Sequence, residues 1–359
     1  MAGGREKRTM MNLLFVAALG AVLWVVLRWA FHHLPGEEWQ FLAAMPKYRR
    51  EDGVWEGTNL TYYGVLSATA YTLGVAIFLL LTGSVGINGL ASCGLILALL
   101  ALCMPASRWV ARIVENKRHT FTVGGASFVG MILAPWIIAL FNGILELIGN
   151  PPIPGLPALA AIAIAYAFGE GIGRLACISF GCCYGRALEA SHPFWGKAFG
   201  NRPFVFSGKT KKIAYASGLD GQPVIPIQAL TAVCYVATGL ASTVLYLTSA
   251  FGTAFLLSVG VTQVWRAISE FLRADYRGEQ PISAYQIMAA LAVVYAFLVR
   301  WALPAGEVAE PSIAAGLETL WDPGMILLLQ GLWVATFLYT GRSSVTGSTL
   351  SFHVIKDRI

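Results

Sequence analysis

Leu156-Pro-Ala-Leu-Ala-Ala-Ile-Ala-Ile-Ala-Tyr-Ala-Phe-Gly-Glu170-Gly-Ile-Gly-Arg174-Leu-Ala-Cys177-Ile-Ser-Phe180 decides how this chain folds. As a helix it exceeds the roughly 20 residues that cross a ~30 Å hydrocarbon layer. Its apolar residues run continuously rather than alternating, which fits a helix and not a barrel strand. Yet it carries Glu170 and Arg174, two charges that each cost roughly 2.5–3.5 kcal/mol at a helix centre on insertion scales.

Working outward, runs of the same kind cover 10–31, 60–83, 86–105, 122–148, 223–248, 251–273, 282–303 and 323–341. The composition agrees: 57% of residues are hydrophobic and 12% charged, against about a quarter charged in soluble domains. The expected fold is all-α, a polytopic transmembrane bundle of about nine helices with a small extramembrane cap. The first run follows Arg5, Lys7 and Arg8. It is too long for a signal peptide, and no small-x-small cleavage site follows, so it reads as a retained anchor helix.

Three segments organise the chain. Residues 1–59 hold the anchor helix and an arm, 32–59, whose Trp39, Pro46 and Trp55 suit the membrane interface. Residues 60–303 form the membrane core, with 187–222, rich in glycine, aromatics and lysine, as the cap. Residues 304–359 add one helix and a tail. By parity, one side of the membrane receives 32–59, 106–121, 187–222, 274–281 and the tail, and with them most of the 25 Lys and Arg residues. The positive-inside rule places that side in the cytoplasm, whereas the N-terminal basic cluster argues for the reverse. The face of the site stays open. A net charge of +6 suits an anionic membrane surface, and no basic, aromatic-interleaved array suggests nucleic acid.

Charges inside spans carry the functional signal. Glu170 and Arg174 are four residues apart on one helix, and Arg266 and Glu270 repeat the spacing on another, with Arg273 continuing that face. They read either as structural ion pairs or as a shared polar pocket in which two guanidinium groups hold a phosphate. Gly169 and Gly173 allow a second backbone to approach closely. Gly124-Gly125 opens a helix whose free N–H groups favour an anion.

The segment Gly173-Arg-Leu-Ala-Cys-Ile-Ser-Phe-Gly-Cys-Cys-Tyr-Gly-Arg186 concentrates three of the six cysteines: Cys177, Cys182 and Cys183. Gly181 and Gly185 break the helix there. The thiols read as packing, as a nucleophile or acceptor with its pKa lowered by a nearby arginine, or as metal ligands. Adjacent cysteines rarely hold a tetrahedral ion without a further ligand, so neither metal nor cofactor is expected. Cys93, Cys103 and Cys234 lie in apolar runs and read as packing residues.

The stretch 173–186 resembles the Gly-Arg-x-Gly-Asn-Phe-x-Asn-Gly-Glu-x-x-Gly-Arg signature of the prolipoprotein diacylglyceryl transferase family. Tyr62-Tyr63-Gly64 is similar to its Trp-Tyr-Gly, Val123-Gly124-Gly125 to its His-Gly-Gly, and Pro226-Ile227-Gln228 to its Pro-Ser-Gln. Arg266-Ala-Ile-Ser-Glu270-Phe-Leu-Arg273-Ala-Asp275 resembles its Arg-x-x-x-Glu-Phe-x-Arg-x-x-Asp, and Ser283 to Gln286 fits its next helix. The likeness covers roughly residues 60–300. It implies transfer of a diacylglyceryl group from phosphatidylglycerol to a lipoprotein cysteine, with thioether formation. It further implies that Arg174 and Arg266 hold the phosphate or glycerol head and that Glu270 orients Arg266. Tyr63, Gly124, Gly125 and Gly185 would shape the pocket, with Glu170 and Arg273 beside it. Val123 replaces the family histidine, Cys177 and Phe180 its asparagines, and Cys182 its signature glutamate. These replacements point to a divergent relative.

The expected activity is therefore a phospholipid-dependent transferase. Its donor is an anionic phospholipid, and its acceptor, a lipoprotein cysteine or a small molecule, is open. Arg174, Arg266, Glu270, Cys182 and Cys177 are the expected catalytic residues, with Glu170 or Glu270 as a base if burial raises its pKa. The alternatives are a lipid-binding or lipid-moving relative without catalysis, and a scaffold docking partners through 187–222.

Overall fold

The computed structural model describes residues 2–38, 40–53, 55–115, 123–275, 282–304, 308–343, 355 and 357. Trp39, residues 116–122 and 276–281, Glu307 and nearly all of the tail lie outside them. Among the described residues, nine helices are long and apolar enough to cross a membrane: α1 (Ala2–His33), α2 (Tyr62–Ser84), α3 (Gly89–Glu115), α4 (Val123–Leu147), α5 (Gly155–Phe180), α8 (Ile227–Leu247), α9 (Phe251–Glu270), α10 (Ala284–Ala302) and α12 (Pro323–Thr340). The expected all-helical transmembrane architecture holds. Short helices α6 (Pro193–Phe199) and α7 (Lys212–Ser217) lie in the cap segment, and α11 (Ile313–Leu320) precedes α12.

α5 is the axis of the bundle, packing most extensively against α2 and then against α8 and α9. Glycine makes the α2–α5 contact close. A Cβ on Gly74 would sit 3.1 Å from the Ala165 carbonyl oxygen, and one on Gly169 would sit 3.5 Å from the Ala70 oxygen. Gly171, on the other side of α5, meets Tyr235 and Val236 of α8 instead. Small residues on two faces thus let one helix serve two neighbours, the packing that replaces the hydrophobic drive in lipid.

Several helix limits depart from the apolar runs. α3 continues past Pro105 to Glu115, where a loop from 106 is expected. α9 stops at Glu270, capped by Phe271, so Arg273 lies beyond the helix and does not continue its face. α8 begins at Ile227 because β4 (Pro223–Val224) pairs with β3 (Phe204–Val205) just before it. α10 starts with a capping box, Ser283 and Gln286 each bonding the other's backbone N–H, which satisfies two end donors.

The arm is a hairpin: β1 (Phe41–Arg49) and β2 (Trp55–Thr61) pair antiparallel, and β5 (Arg342–Ser343), just past α12, adds to the β2 edge. The Thr61 side chain caps α2 by accepting from the Gly64 N–H. On the opposite side, Asn12 of α1 donates to the Pro311 carbonyl at 3.2 Å and accepts from Ile313 N–H at 3.0 Å, fixing α11 to α1. Arg8 pairs with Glu310 at 3.2 Å and Arg5 with the same carboxylate at 3.7 Å. The N-terminal basic cluster therefore meets the acidic 304–322 connection on one side.

Candidate functional site

α5 ends on Gly181, which adopts the left-handed conformation at φ 67°. The Gly181 and Cys182 N–H groups turn back to Ile178 and Cys177 oxygens at 3.1 and 3.0 Å. This ending brings the residue one past the glycine against the residue four before it, so Cys182 meets Cys177. Cys183 follows at φ 55°, a sparsely populated region for a residue with a Cβ. The sulfur atoms of Cys177, Cys182 and Cys183 all lie within 4.8 Å of one another.

The chain beyond α5 then pairs with the chain beyond α9. Arg186 N–H donates to the Leu272 oxygen at 3.0 Å and Ala274 N–H to the Tyr184 oxygen at 3.1 Å, around an antiparallel bridge between Gly185 and Arg273. Gly185 is needed where it stands: a Cβ there would lie 2.3 Å from the Ile225 carbonyl oxygen. The Gln228 amide, at the start of α8, donates to the Cys182 oxygen at 3.0 Å. Three segments distant in sequence meet at this end of the bundle.

Between them lies a cleft of about 320 Å³ including its open mouth, lined by Arg174, Cys183, Gln228, Tyr235, Arg266, Ser269, Glu270 and Arg273 among others. Arg174 pairs with Glu170 one turn away, as the spacing predicts, yet its buried Nε has no hydrogen-bond partner among the described residues. Arg273 forms a forked pair with Asp275, both contacts at 2.7 Å. Glu270 pairs with Arg273 at 3.9 Å and not, as expected, with Arg266.

Arg266 is held differently. It is buried, and among the described residues no carboxylate oxygen comes within 4.0 Å of it. Its Nη1 reaches the Tyr166 hydroxyl at 3.4 Å, and its guanidinium stands 5.9 Å from the centre of the Tyr285 ring. Gly124, opening α4, gives it room: a Cβ there would fall 2.2 Å from Arg266 Nη2. Gly125 plays no such part. Its Cβ would meet Val110 of α3 at 2.5 Å, so it serves helix packing.

Tyr63 is not in this cleft. It packs edge-on against Phe180, ring centres 5.7 Å apart, in a second cleft of about 280 Å³ shared with Gln40, Thr61, Ser179 and Thr210. The thiol chemistry also departs from expectation. Hydrogen bonds with Cys177 and Cys183, and then burial, push the Cys182 thiol well above the ordinary range, opposite to the expected lowering by arginine.

Sequence reasoning missed Tyr166, Tyr235 and Tyr285, which surround Arg266, and the Lys211 pair behind the second cleft. Lys211 Nζ is fully enclosed, donating to the Leu34 and Ser179 oxygens at 3.0 Å each and lying 3.6 Å from Glu37. Burial lowers its pKa, and Glu37 opposes that shift. No motif marks these residues. A buried arginine in a span does imply aromatic or hydroxyl neighbours, and that was the available signal for the tyrosines.

No curated protein matches the chain. A family model described as prolipoprotein diacylglyceryl transferase matches residues 53–302, from the second hairpin strand to the end of α10. That span contains every arginine of the cleft and all three clustered cysteines, and it leaves α1 and α12 outside. By this match over more than half its length, the chain belongs to the prolipoprotein diacylglyceryl transferase family, a family of membrane transferases of lipid metabolism.

Proposed function

We propose that this chain moves a diacylglyceryl group from an anionic, phosphatidylglycerol-like donor to a thiol, as a multi-pass protein of the bacterial cytoplasmic membrane. The observation that carries the reading is Arg266, a guanidinium buried in a membrane helix, contacting no described carboxylate and facing a cleft with Arg174 and Arg273. A buried charge without a counter-ion is costly, and a phosphate head supplies one. Arg266 takes the phosphate, and the Arg174 Nε, which has no partner among the described residues, adds a second donor. In the transition state these groups stabilise charge developing on the departing phosphate oxygen. The acceptor sulfur forms a bond to the terminal glyceryl carbon as the carbon–oxygen bond to phosphate breaks. The thiol proton passes to solvent, and a glycerol phosphate is the leaving group. Whether the acceptor thiol is a lipoprotein cysteine or a small molecule is part of the same test.

The experiment is transfer of labelled diacylglyceryl from phosphatidylglycerol in nanodiscs to a lipobox peptide and, separately, to a small thiol. Arg266→Ala and Arg174→Ala are expected to lower transfer at least 10²-fold, the loss typical of removing one preorganised donor. Full activity in either variant refutes the assignment. A second reading, a lipid-binding relative without catalysis, is favoured by one observation: valine at 123, where the resemblance expects histidine, offers no proton acceptor. It requires that phospholipid co-purify with the chain while neither thiol is ever modified.

A further inference from the structure

The three clustered thiols stand where the resemblance aligns two polar residues and a turn of the signature, and the proposed transferase reaction leaves their role unassigned. The C-terminal turn of α5 brings the Cys182 and Cys177 sulfurs together, and the left-handed turn at Cys183 adds a third donor from the adjacent residue. Zinc–sulfur bonds are about 2.3 Å, so three sulfurs around one tetrahedral ion lie about 3.8 Å apart. The mutual limit of 4.8 Å seen here is within about an ångström of that arrangement. Cys183 also lines the arginine cleft, so an ion held by the trio would sit in the wall of the space that receives the donor lipid.

We propose that Cys177, Cys182 and Cys183 hold one thiophilic divalent cation of the zinc class, with a fourth coordination position open to the acceptor thiol. This inference rests on the transferase reading and supplies what that reading lacks, a way to make a thiolate without a histidine. Three protein ligands and one open position is the pattern of catalytic zinc, as against the closed four-ligand structural site. On loading, the three cysteine protons pass to solvent. The acceptor thiol loses its proton to solvent as its sulfur coordinates. That sulfur's electron pair then forms the carbon–sulfur bond, while the pair of the breaking carbon–oxygen bond leaves with the phosphate. The cation stays divalent throughout, so no oxidant or reductant is needed. Three thiolates and one divalent ion carry one net negative charge, and Arg174 and Arg273 line the same cleft as Cys183.

The test uses the full chain in nanodiscs. After incubation with Zn²⁺ and desalting, elemental analysis is expected to give one zinc per chain. Co²⁺ in its place is expected to give thiolate-to-metal absorption in the near ultraviolet, with visible bands that shift when the acceptor thiol is added. Cys177→Ser and Cys182→Ser are each expected to weaken binding at least tenfold while leaving the thermal transition of the metal-free chain in place. A wild-type chain that retains no zinc, serine variants that retain as much as wild type, or cobalt bands unmoved by the thiol would each overturn the proposal. The two readings fail separately. Transfer that continues undiminished in metal-free protein sinks the metal site alone. Zinc bound at one per chain, with cobalt bands that respond to the thiol but no diacylglyceryl transfer, sinks the transferase reading alone.

Discussion

Replacing Gly124 by alanine isolates the role of Arg266 with a single methyl group. The added Cβ would lie 2.2 Å from Arg266 Nη2 and 2.9 Å from both Arg266 Cζ and Tyr285 Cδ1. An ordinary contact is about 3.5 Å, so the guanidinium must retreat by roughly 1.3 Å. The same Cβ would also press on the Tyr285 ring, which is fully buried. A misplacement of about 1 Å costs on the order of 10²-fold in rate, or about 2.7 kcal/mol of transition-state stabilisation. The same change does not weaken the helix, because alanine is the better helix former by about 1 kcal/mol. Gly124→Ala is therefore expected to lose about 10²-fold in kcat/KM for phosphatidylglycerol, with a Tm loss no larger than that of Gly125→Ala, because the helix gain offsets part of the overpacking against Tyr285. Gly125→Ala is the internal control: its Cβ meets Val110 at 2.5 Å, so overpacking of about 1–3 kcal/mol should lower Tm while the kinetic constants for lipid hold. Transfer at the wild-type rate in Gly124→Ala, or the kinetic defect appearing in Gly125→Ala instead, refutes the placement of Arg266 at the head group.

Lys211→Met leaves Glu37 buried without its cation and should destabilise the chain by about 3–5 kcal/mol, whereas adding Glu37→Gln should recover most of that loss; melting in detergent checks both. Because burial lowers the Lys211 pKa, the folded state releases this proton before the unfolded state does. Stability from this group therefore rises with pH from the lowered value up to the ordinary one near 10.4. The rise should be missing from the alkaline limb of the double variant's stability profile. Asn12→Ala removes both bonds that fix α11 and leaves the Ile313 N–H unmet, a cost of about 1–3 kcal/mol read as a lower Tm with lipid affinity unchanged. Gly64→Ala places a Cβ 2.2 Å from the Gly341 Cα, two backbones with no flexible end to yield, and should lower Tm by more than Gly125→Ala does.

The membrane helices were legible because the requirement for about 20 apolar residues is written directly into the chain. Their ends were not, because caps and local pairings set them. Nothing in the hydropathy of residues 251–273 marks the stop at Glu270, which follows from the Gly185–Arg273 bridge with a segment almost ninety positions away. The β-hairpin was missed since β1 does not alternate, most of its residues being exposed on both faces, and its third strand comes from beyond α12. Helical spacing placed Glu170 against Arg174 correctly but offered Arg266 and Arg273 equally to Glu270. The departure of the chain from helical geometry after Glu270 gave Arg273 the closer approach. The meeting of Cys177 with Cys182 was readable in principle: a glycine ending a helix brings together the residues four before and one after it.

The charges of the cleft also explain why donor and acceptor chemistry can diverge independently. Three guanidinium groups face three carboxylates in the cluster, but the contacts are unequal. Glu170 belongs to Arg174, and Asp275 and Glu270 belong to Arg273. A purely structural ion-pair network would turn Arg266 onto Glu270, one turn away on the same helix. Instead Arg266 lies between a tyrosine hydroxyl and a tyrosine ring. These neighbours fix its direction without neutralising its charge, which keeps it available to an external anion. Two of the three thiols, Cys182 and Cys183, lie in the turn after α5 rather than on the helix that carries Arg266. Substitutions in that turn change what reaches the acceptor without moving Arg266, whose position depends on Gly124, Tyr166 and Tyr285. On the proposed function, a chain of this design retains a grip on a phospholipid head while the groups that prepare the acceptor are replaced by sulfur.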